Sequence, residues 1–303
     1  MIMGWCRARP SYRLPGEAAN EISKIEAFEV QAEARSLQPI ADAPRLTASI
    51  CEPVREIEIV DESGARRTIV IPSERALTVV LDGHELLTLM TLGAAAELLV
   101  LGFLRNQRLI ENAAAIESIV VDWQHGLGMV KRRAFSREPI PRGVAGASAQ
   151  GSIFARLMEQ VDSIRLPLKS ARIELSTLQR ALEIMRQHDN IHRHARSVHS
   201  CALFDGERLL VSVEDVGRQN ALDTISGWMA LYGVDGSDKI LFTTGRLTAE
   251  MVIKAAQCGV PIMVSRNGVS TMGYDLARKF GMTLIGRAAN KRFQCYVGSE
   301  RLA

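Results

Sequence analysis

Four short stretches in the C-terminal half combine basic residues with glycine or small polar residues. They are Glu214-Asp215-Val216-Gly217-Arg218, Thr244-Gly245-Arg246, Ser265-Arg266-Asn267-Gly268 and Arg287-Ala288-Ala289-Asn290-Lys291-Arg292. Guanidinium groups pair with phosphate oxygens, and glycine lets backbone N–H groups approach a ligand. The first three stretches lead into helical sequence, and helix N-termini attract anions. The chemistry this implies is binding of a phosphorylated or pyrophosphate ligand. The competing reading is that the arginines are solvated rim charges and the glycines only serve turns. Neither a P-loop nor a dinucleotide fingerprint spacing is present.

Other reactive side chains sit nearby in sequence. His199, in Val198-His199-Ser200-Cys201, precedes a strand and is either a donor or base at the same rim or a satisfied, partly buried histidine. Cys201 is either a nucleophile or a thiol turned into the sheet. His188, His192 and His194 cluster on a polar stretch without further metal ligands, and the zinc deaminase pattern is absent, so no zinc is expected. The five cysteines, Cys6, Cys51, Cys201, Cys258 and Cys295, are odd in number and widely spaced, which argues against a disulfide framework.

The elements that must position these residues follow from periodicity. Hairpins are expected over 54–73 and across Asp82-Gly83, a helix over Ala94–Arg105, and an antiparallel pair from Ile116–Asp122 and Met129–Ala134. Ser176-x-x-Gln179 reads as a capping box opening a helix Thr177–Gln187. Beyond it, strands Ala202–Phe204 and Arg208–Val213 are expected around Asp205-Gly206, and strands and helices then alternate: a helix capped by Asp215 and running through Trp228, a strand Lys239–Thr244, a helix Thr248–Gln257, a strand Pro261–Ser265, a helix Thr271–Phe280, and strands Met282–Ile285 and Phe293–Tyr296. Such alternation predicts βαβ units on a largely parallel sheet, with ligands bound beyond the strand carboxyl ends. The fold class is therefore α/β, or α+β over the whole chain. The expected organisation is a variable extension over 1–45 with room for one loose helix, an N-terminal α+β domain over 46–134, a loop over 135–151, and a C-terminal ligand-binding domain over 152–303.

Composition bounds the rest. Hydrophobic residues make up 47 % of the 303 residues and aromatics 5 %, so the core must be built from Ala, Leu, Ile and Val. A net charge of +3 does not suggest a nucleic-acid binder. The longest apolar run, Leu86–Leu104, is broken by Thr88, Thr91, Gly93 and Glu97, and reads as a strand and a helix rather than a membrane span. Met1–Pro15 lacks an apolar stretch of signal-peptide length, so the cytoplasm is the expected compartment.

These segments resemble the formate dehydrogenase accessory (FdhD) family. Glu214–Asp223 is close to the family pattern E-D-V-G-R-H-N-A-x-D, and Thr244–Lys254 to S-G-R-x-T-x-E-M-V-x-K. Gly259–Arg266 and Thr283-Leu284-Ile285-Gly286 also fit, and Leu98–Leu104 with Ile110 is similar to the family's L-x-x-G-F-L helix and following isoleucine, so the resemblance covers roughly 54–300. It implies a cytidine deaminase-like C-terminal fold without zinc and a homodimer. The family's task is to take sulfur from a cysteine desulfurase and pass it to the molybdenum bis(guanine dinucleotide) cofactor of formate dehydrogenase or a related molybdo- or tungsto-enzyme. It further implies that the nucleotide contact maps to Arg287–Arg292, alongside Arg218, Arg246 and Arg266 on the other loops.

The chain departs from the family in three places. The C-G-x-C-G sulfur carrier aligns with Ala147-Ser148-Ala149-Gln150-Gly151, so Ala147 and Gln150 replace both cysteines. Neither side chain can form a persulfide. Gln219 stands where the family has histidine, and Ala195-Arg196-Ser197 where it has T-G-G. The expectation is an accessory protein of the FdhD type whose own sulfur transfer is in doubt. The alternatives are a non-catalytic cofactor chaperone or partner subunit of an intact sulfurtransferase, and a nucleotide-processing enzyme on the deaminase-like fold.

Overall fold

The computed structural model describes residues 27–31, 34–49, 51–134, 171–188, 190–289 and 292–303, with scattered positions between 154 and 166. The 135–151 loop with Ala147 and Gln150, and also Asn290 and Lys291, lie outside the described residues. In chain order the strands are β1 (Phe28–Val30), β2 (Arg45–Leu46), β3 (Val54–Val60), β4 (Arg66–Pro72), β5 (Arg75–Leu81) and β6 (His84–Thr91), followed by helix α1 (Ala96–Asn106). Then come β7 (Ile116–Asp122), β8 (Leu127–Arg132), α2 (Leu175–His188), α3 (Asn190–His194), β9 (His199–Asp205), β10 (Arg208–Asp215) and α4 (Arg218–Tyr232). The chain closes with β11 (Lys239–Thr243), α5 (Ala249–Gln257), β12 (Ile262–Ser265), α6 (Thr271–Phe280), β13 (Thr283–Ala289) and β14 (Arg292–Val297).

These elements form a mixed α/β fold. A seven-stranded sheet has the order β1-β10-β9-β11-β12-β13-β14, a five-stranded sheet the order β2-β7-β8-β5-β6, and β3-β4 is a separate hairpin. The larger sheet is not largely parallel, as alternation suggested. Only β11–β12 and β12–β13 pair in parallel. β9 and β10 form a hairpin that inserts β9 antiparallel between β10 and β11, and β14 folds back antiparallel on β13.

Three local expectations also change. The N-terminal extension supplies a strand, β1, which pairs antiparallel with β10. The cap of α4 is Gly217 in extended conformation, not Asp215. Ser176 lies inside α2, where its hydroxyl bonds Glu174 Oε2 instead of capping the helix.

One core joins the two large sheets. Leu77, Leu81, Leu99, Leu104 and Ile119 from the N-terminal half share a buried cluster with Trp228, Val252, Met263 and Leu284 from the C-terminal half. The joint is the crossing of α1 and α4. A Cβ on Gly102 would sit 1.7 Å from the Asp223 carbonyl oxygen, and one on Gly227 would sit 2.0 Å from that of Leu98. The two helix backbones are thus in contact, which only glycine permits. Beside the crossing runs a buried polar chain. Lys254 Nζ donates to Asp223 Oδ2 at 2.7 Å, and Asn106 Nδ2 donates to Asp223 Oδ1 at 2.7 Å. Burying this ion pair is tolerable because its partners are hydrogen-bonded in place. No helix among the described residues is long and apolar enough to cross a membrane.

Candidate anion site at the carboxyl edge

β10, β11, β12 and β13 point the same way, so their carboxyl ends share one edge of the sheet. The first loop is fixed from below by two buried acids. Asp215 Oδ2 accepts from Thr91 Oγ1 at 2.5 Å and Leu92 N at 3.1 Å, and its Oδ1 accepts from Gly217 N and Asn220 Nδ2, both at 2.9 Å. Burial pushes its carboxyl up, and these donors hold it down in part. Glu214 accepts from the backbone of Ile191 at 2.6 Å and His192 at 2.9 Å, tying α3 to the same loop.

The remaining loops are stitched to one another. Ser265 Oγ donates to the Gly245 carbonyl at 2.6 Å, and Asn267 Nδ2 to that of Thr244 at 2.8 Å. Leu247 N donates to Gly268 O at 3.0 Å, and Arg287 N to Asn267 O at 2.8 Å. Gly245 also receives the stem of Arg218: a Cβ there would lie 2.9 Å from both Cβ and Cδ of that arginine. The four loops are therefore one surface.

The cations on this surface differ. Arg218 is half-buried, and its Nε is enclosed without a hydrogen-bond partner. Arg246, Arg287 and Arg292 are exposed, and no ion pair holds any of them among the described residues. Arg266 instead lies over the Phe242 ring, 5.6 Å from its centroid, so part of its charge is spent on a cation–π contact. The segment Arg287–Arg292 is not wholly a loop. β13 continues to Ala289 and β14 begins at Arg292, with Ala289 opposite Arg292. Ala288 is fully buried and Ala289 exposed. Arg287 holds a left-handed backbone at φ +50°.

His199 opens β9 opposite Asp215 and is half-buried. Burial, and then the charges of Arg218, Arg246 and His192, hold its pKa below the usual 6.5, so it is neutral at pH 7. That coupling places Arg218, Arg246 and His199 in one electrostatic neighbourhood. Cys201 is fully buried with its Sγ 3.3 Å from Thr243 Oγ1, and burial pushes its thiol up to about 12. It is a core thiol and not a nucleophile.

Some site features were not read from the sequence. Gln219 Nε2 donates to Glu250 Oε2 at 2.6 Å, bridging the first turns of α4 and α5. His192 Nδ1, Arg218 Nε, Gln219 Oε1 and Thr248 Oγ1 are all enclosed without a partner among the described residues. Only the clustering of Arg218, Gln219, Thr248 and Glu250 in two motifs hinted at them. At Arg196 and Ser197 the backbone is left-handed, with φ of +56° and +53°, where the family pattern has two glycines.

Comparison with known proteins gives the family and the fold. The FdhD/NarQ family model matches residues 72–303. "Sulfur carrier protein FdhD" of Bacillus pumilus is 26 % identical over 239 residues, covering 78 % of this chain and 91 % of the relative. The protein of the same name from Bacillus subtilis is 28 % identical over 233 residues, covering 76 % and 89 %. Among solved structures, a chain described as a formate dehydrogenase accessory protein from Desulfotalea psychrophila superimposes with a TM-score of 0.68. It is 26 % identical, and the match covers 82 % of this chain and 98 % of that one. On the family match over residues 72–303, the chain belongs to the FdhD/NarQ family.

Proposed function

We propose that this chain is a formate dehydrogenase accessory protein that binds the guanine dinucleotide form of the molybdenum cofactor as cargo and does not relay sulfur itself. The observation that carries this reading is the row of arginines without ion pairs among the described residues, Arg218, Arg246, Arg287 and Arg292, at one sheet edge beside the N-termini of α4 and α5. Cations that no carboxylate pairs among the described residues suit the pyrophosphate groups of such a cargo. The enclosed, unpartnered polar atoms beside them support a ligand with hydrogen-bonding groups. Neutral His199 adds a donor or acceptor without further charge.

The residues that match the family's cysteines are Ala147 and Gln150, and Cys201 is buried with a raised pKa. Both points favour a chaperone or partner subunit working with an intact sulfurtransferase over self-contained persulfide transfer. Formate dehydrogenase or a related molybdo- or tungsto-enzyme is the expected client, and a homodimer the expected assembly. A cysteine desulfurase would then engage the intact partner. Calorimetry of GDP with wild type and with an Arg287→Ala/Arg292→Ala variant tests the cargo site. Loss of binding in the folded variant supports it; unchanged binding moves the ligand elsewhere.

A further inference from the structure

β9 lies between β10 and β11, so its first residue is flanked by two of the arginine-bearing loops. On one side His199 stands opposite Asp215, at the start of the loop that leads to Arg218. On the other, Ser200 N donates to Thr244 Oγ1 and Thr244 N to Ser200 O, both at 2.9 Å, at the start of the loop that carries Arg246. His199 and Cys201 project from the same face of β9, and Cys201 Sγ lies 3.9 Å from Arg218 O. Among the described residues neither ring nitrogen of His199 has a hydrogen-bond partner, and neither is enclosed as His192 Nδ1 is.

Two guanidinium groups and a second imidazole face this ring: Arg218 from α4, Arg246 from the β11–α5 loop and His192 from α3. The carboxylates of β10 are engaged elsewhere. Asp215 is bonded to Thr91, Leu92, Gly217 and Asn220, and Glu214 to the backbone of Ile191 and His192 and to Ser200 Oγ. Burial first, and then the neighbouring cations, keep the free ring neutral at pH 7. An anion held by the two guanidinium groups cancels the field that opposes protonation, and it offers the ring an acceptor.

We infer that His199 is a binding residue of this rim that takes a proton from solvent as the anion docks, so that binding and protonation are coupled. At pH 8 the anion meets a neutral ring; as the pH falls towards 6 it holds an imidazolium. The bound state then carries more protons than the free one, so affinity rises as the pH falls. This rests on the cargo reading above and adds that the rim grips a pyrophosphate more tightly in mildly acidic solution.

The test is binding of GDP-mannose, whose doubly esterified pyrophosphate carries no proton of its own near neutral pH, unlike the terminal phosphate of GDP. Calorimetry in two buffers of different ionisation enthalpy counts the protons taken up. Wild type should take up about half a proton or more at pH 6, close to none at pH 8, and bind about three- to tenfold more tightly at pH 6. His199→Asn, with folding checked by its melting curve at pH 8, should lose the uptake and most of the affinity difference between the two pH values. Histidine NMR on wild type assigns the proton without a variant: the His199 midpoint should rise by about one unit or more at saturation. Binding by wild type without proton uptake, or uptake that persists in folded His199→Asn, overturns this inference and leaves the anion site standing. A midpoint that moves at His192 and not at His199 does the same. No binding by wild type at either pH overturns both readings.

Discussion

Replacing Arg287 separates what the rim costs in stability from what it does in binding. A non-glycine residue in the left-handed region is disfavoured by about 1–2 kcal/mol, and Arg287 is held there at φ +50° by β13 and by its N–H bond to Asn267 O at 2.8 Å. Arg287→Gly removes that strain but adds unfolded-chain entropy worth roughly 0.5–1 kcal/mol. The net expectation is a gain of about 0.5–1 kcal/mol, or about 1–3 °C in Tm. Arg287→Ala keeps the strain and should leave Tm near wild type, because the exposed guanidinium has no ion pair to lose among the described residues. Both variants lose the same charged hydrogen bonds to an anion, worth about 1.5–3 kcal/mol, or roughly 10- to 100-fold in affinity. Differential scanning calorimetry and GDP titration read the two effects independently. If Arg287→Gly is less stable than Arg287→Ala, the strain argument is wrong. If both bind GDP as wild type does, Arg287 is not part of the site.

Three further outcomes follow from the packing and electrostatics. Gly102→Ala or Gly227→Ala should destabilise the fold by about 3 kcal/mol in urea denaturation, since the added methyl meets backbone on the opposing helix. His199 should titrate below 6.5 by NMR, and removing a charge with Arg218→Gln or Arg246→Gln should raise its midpoint. Because the folded pKa is depressed, the unfolded chain takes up the proton first. Stability therefore declines as pH falls below 6.5, and a His199→Asn variant should lose that portion of the pH dependence. Cys201 should resist iodoacetamide at pH 8 in the folded protein and carry no persulfide after incubation with a cysteine desulfurase and cysteine, because its buried thiol stays protonated.

Much of the scaffold is legible in the sequence because its signals are local. The Asp82-Gly83 turn, the β3–β4 hairpin and α6 fall within a residue or two of their expected places. The shared edge that carries the arginine-bearing loops is legible too, since the carboxyl edge of an α/β sheet follows from strand direction alone. What escapes is long-range. β1 is three residues long, and nothing in Phe28-Glu29-Val30 announces that it will cover β10. The turn at Asp205-Gly206 marks the β9–β10 hairpin, but nothing in it announces that β9 will pair antiparallel with β11. Asp223 with Lys254 and Gln219 with Glu250 are pairs 31 residues apart, brought together by helix packing that no spacing encodes. The quoted motifs contain all four residues, but only the structure separates the buried ion pair from the half-buried Gln219–Glu250 pair.

The most direct test is hydrogen-exchange mass spectrometry of the whole chain with and without the isolated guanine dinucleotide molybdenum cofactor. The account predicts slowed exchange confined to the loops around Gly217–Asn220, Thr244–Thr248 and Arg266–Gly268, and the hairpin from Gly286 to Phe293. Slowed exchange on the outer face of the five-stranded sheet, or none anywhere at saturating cofactor, would contradict it.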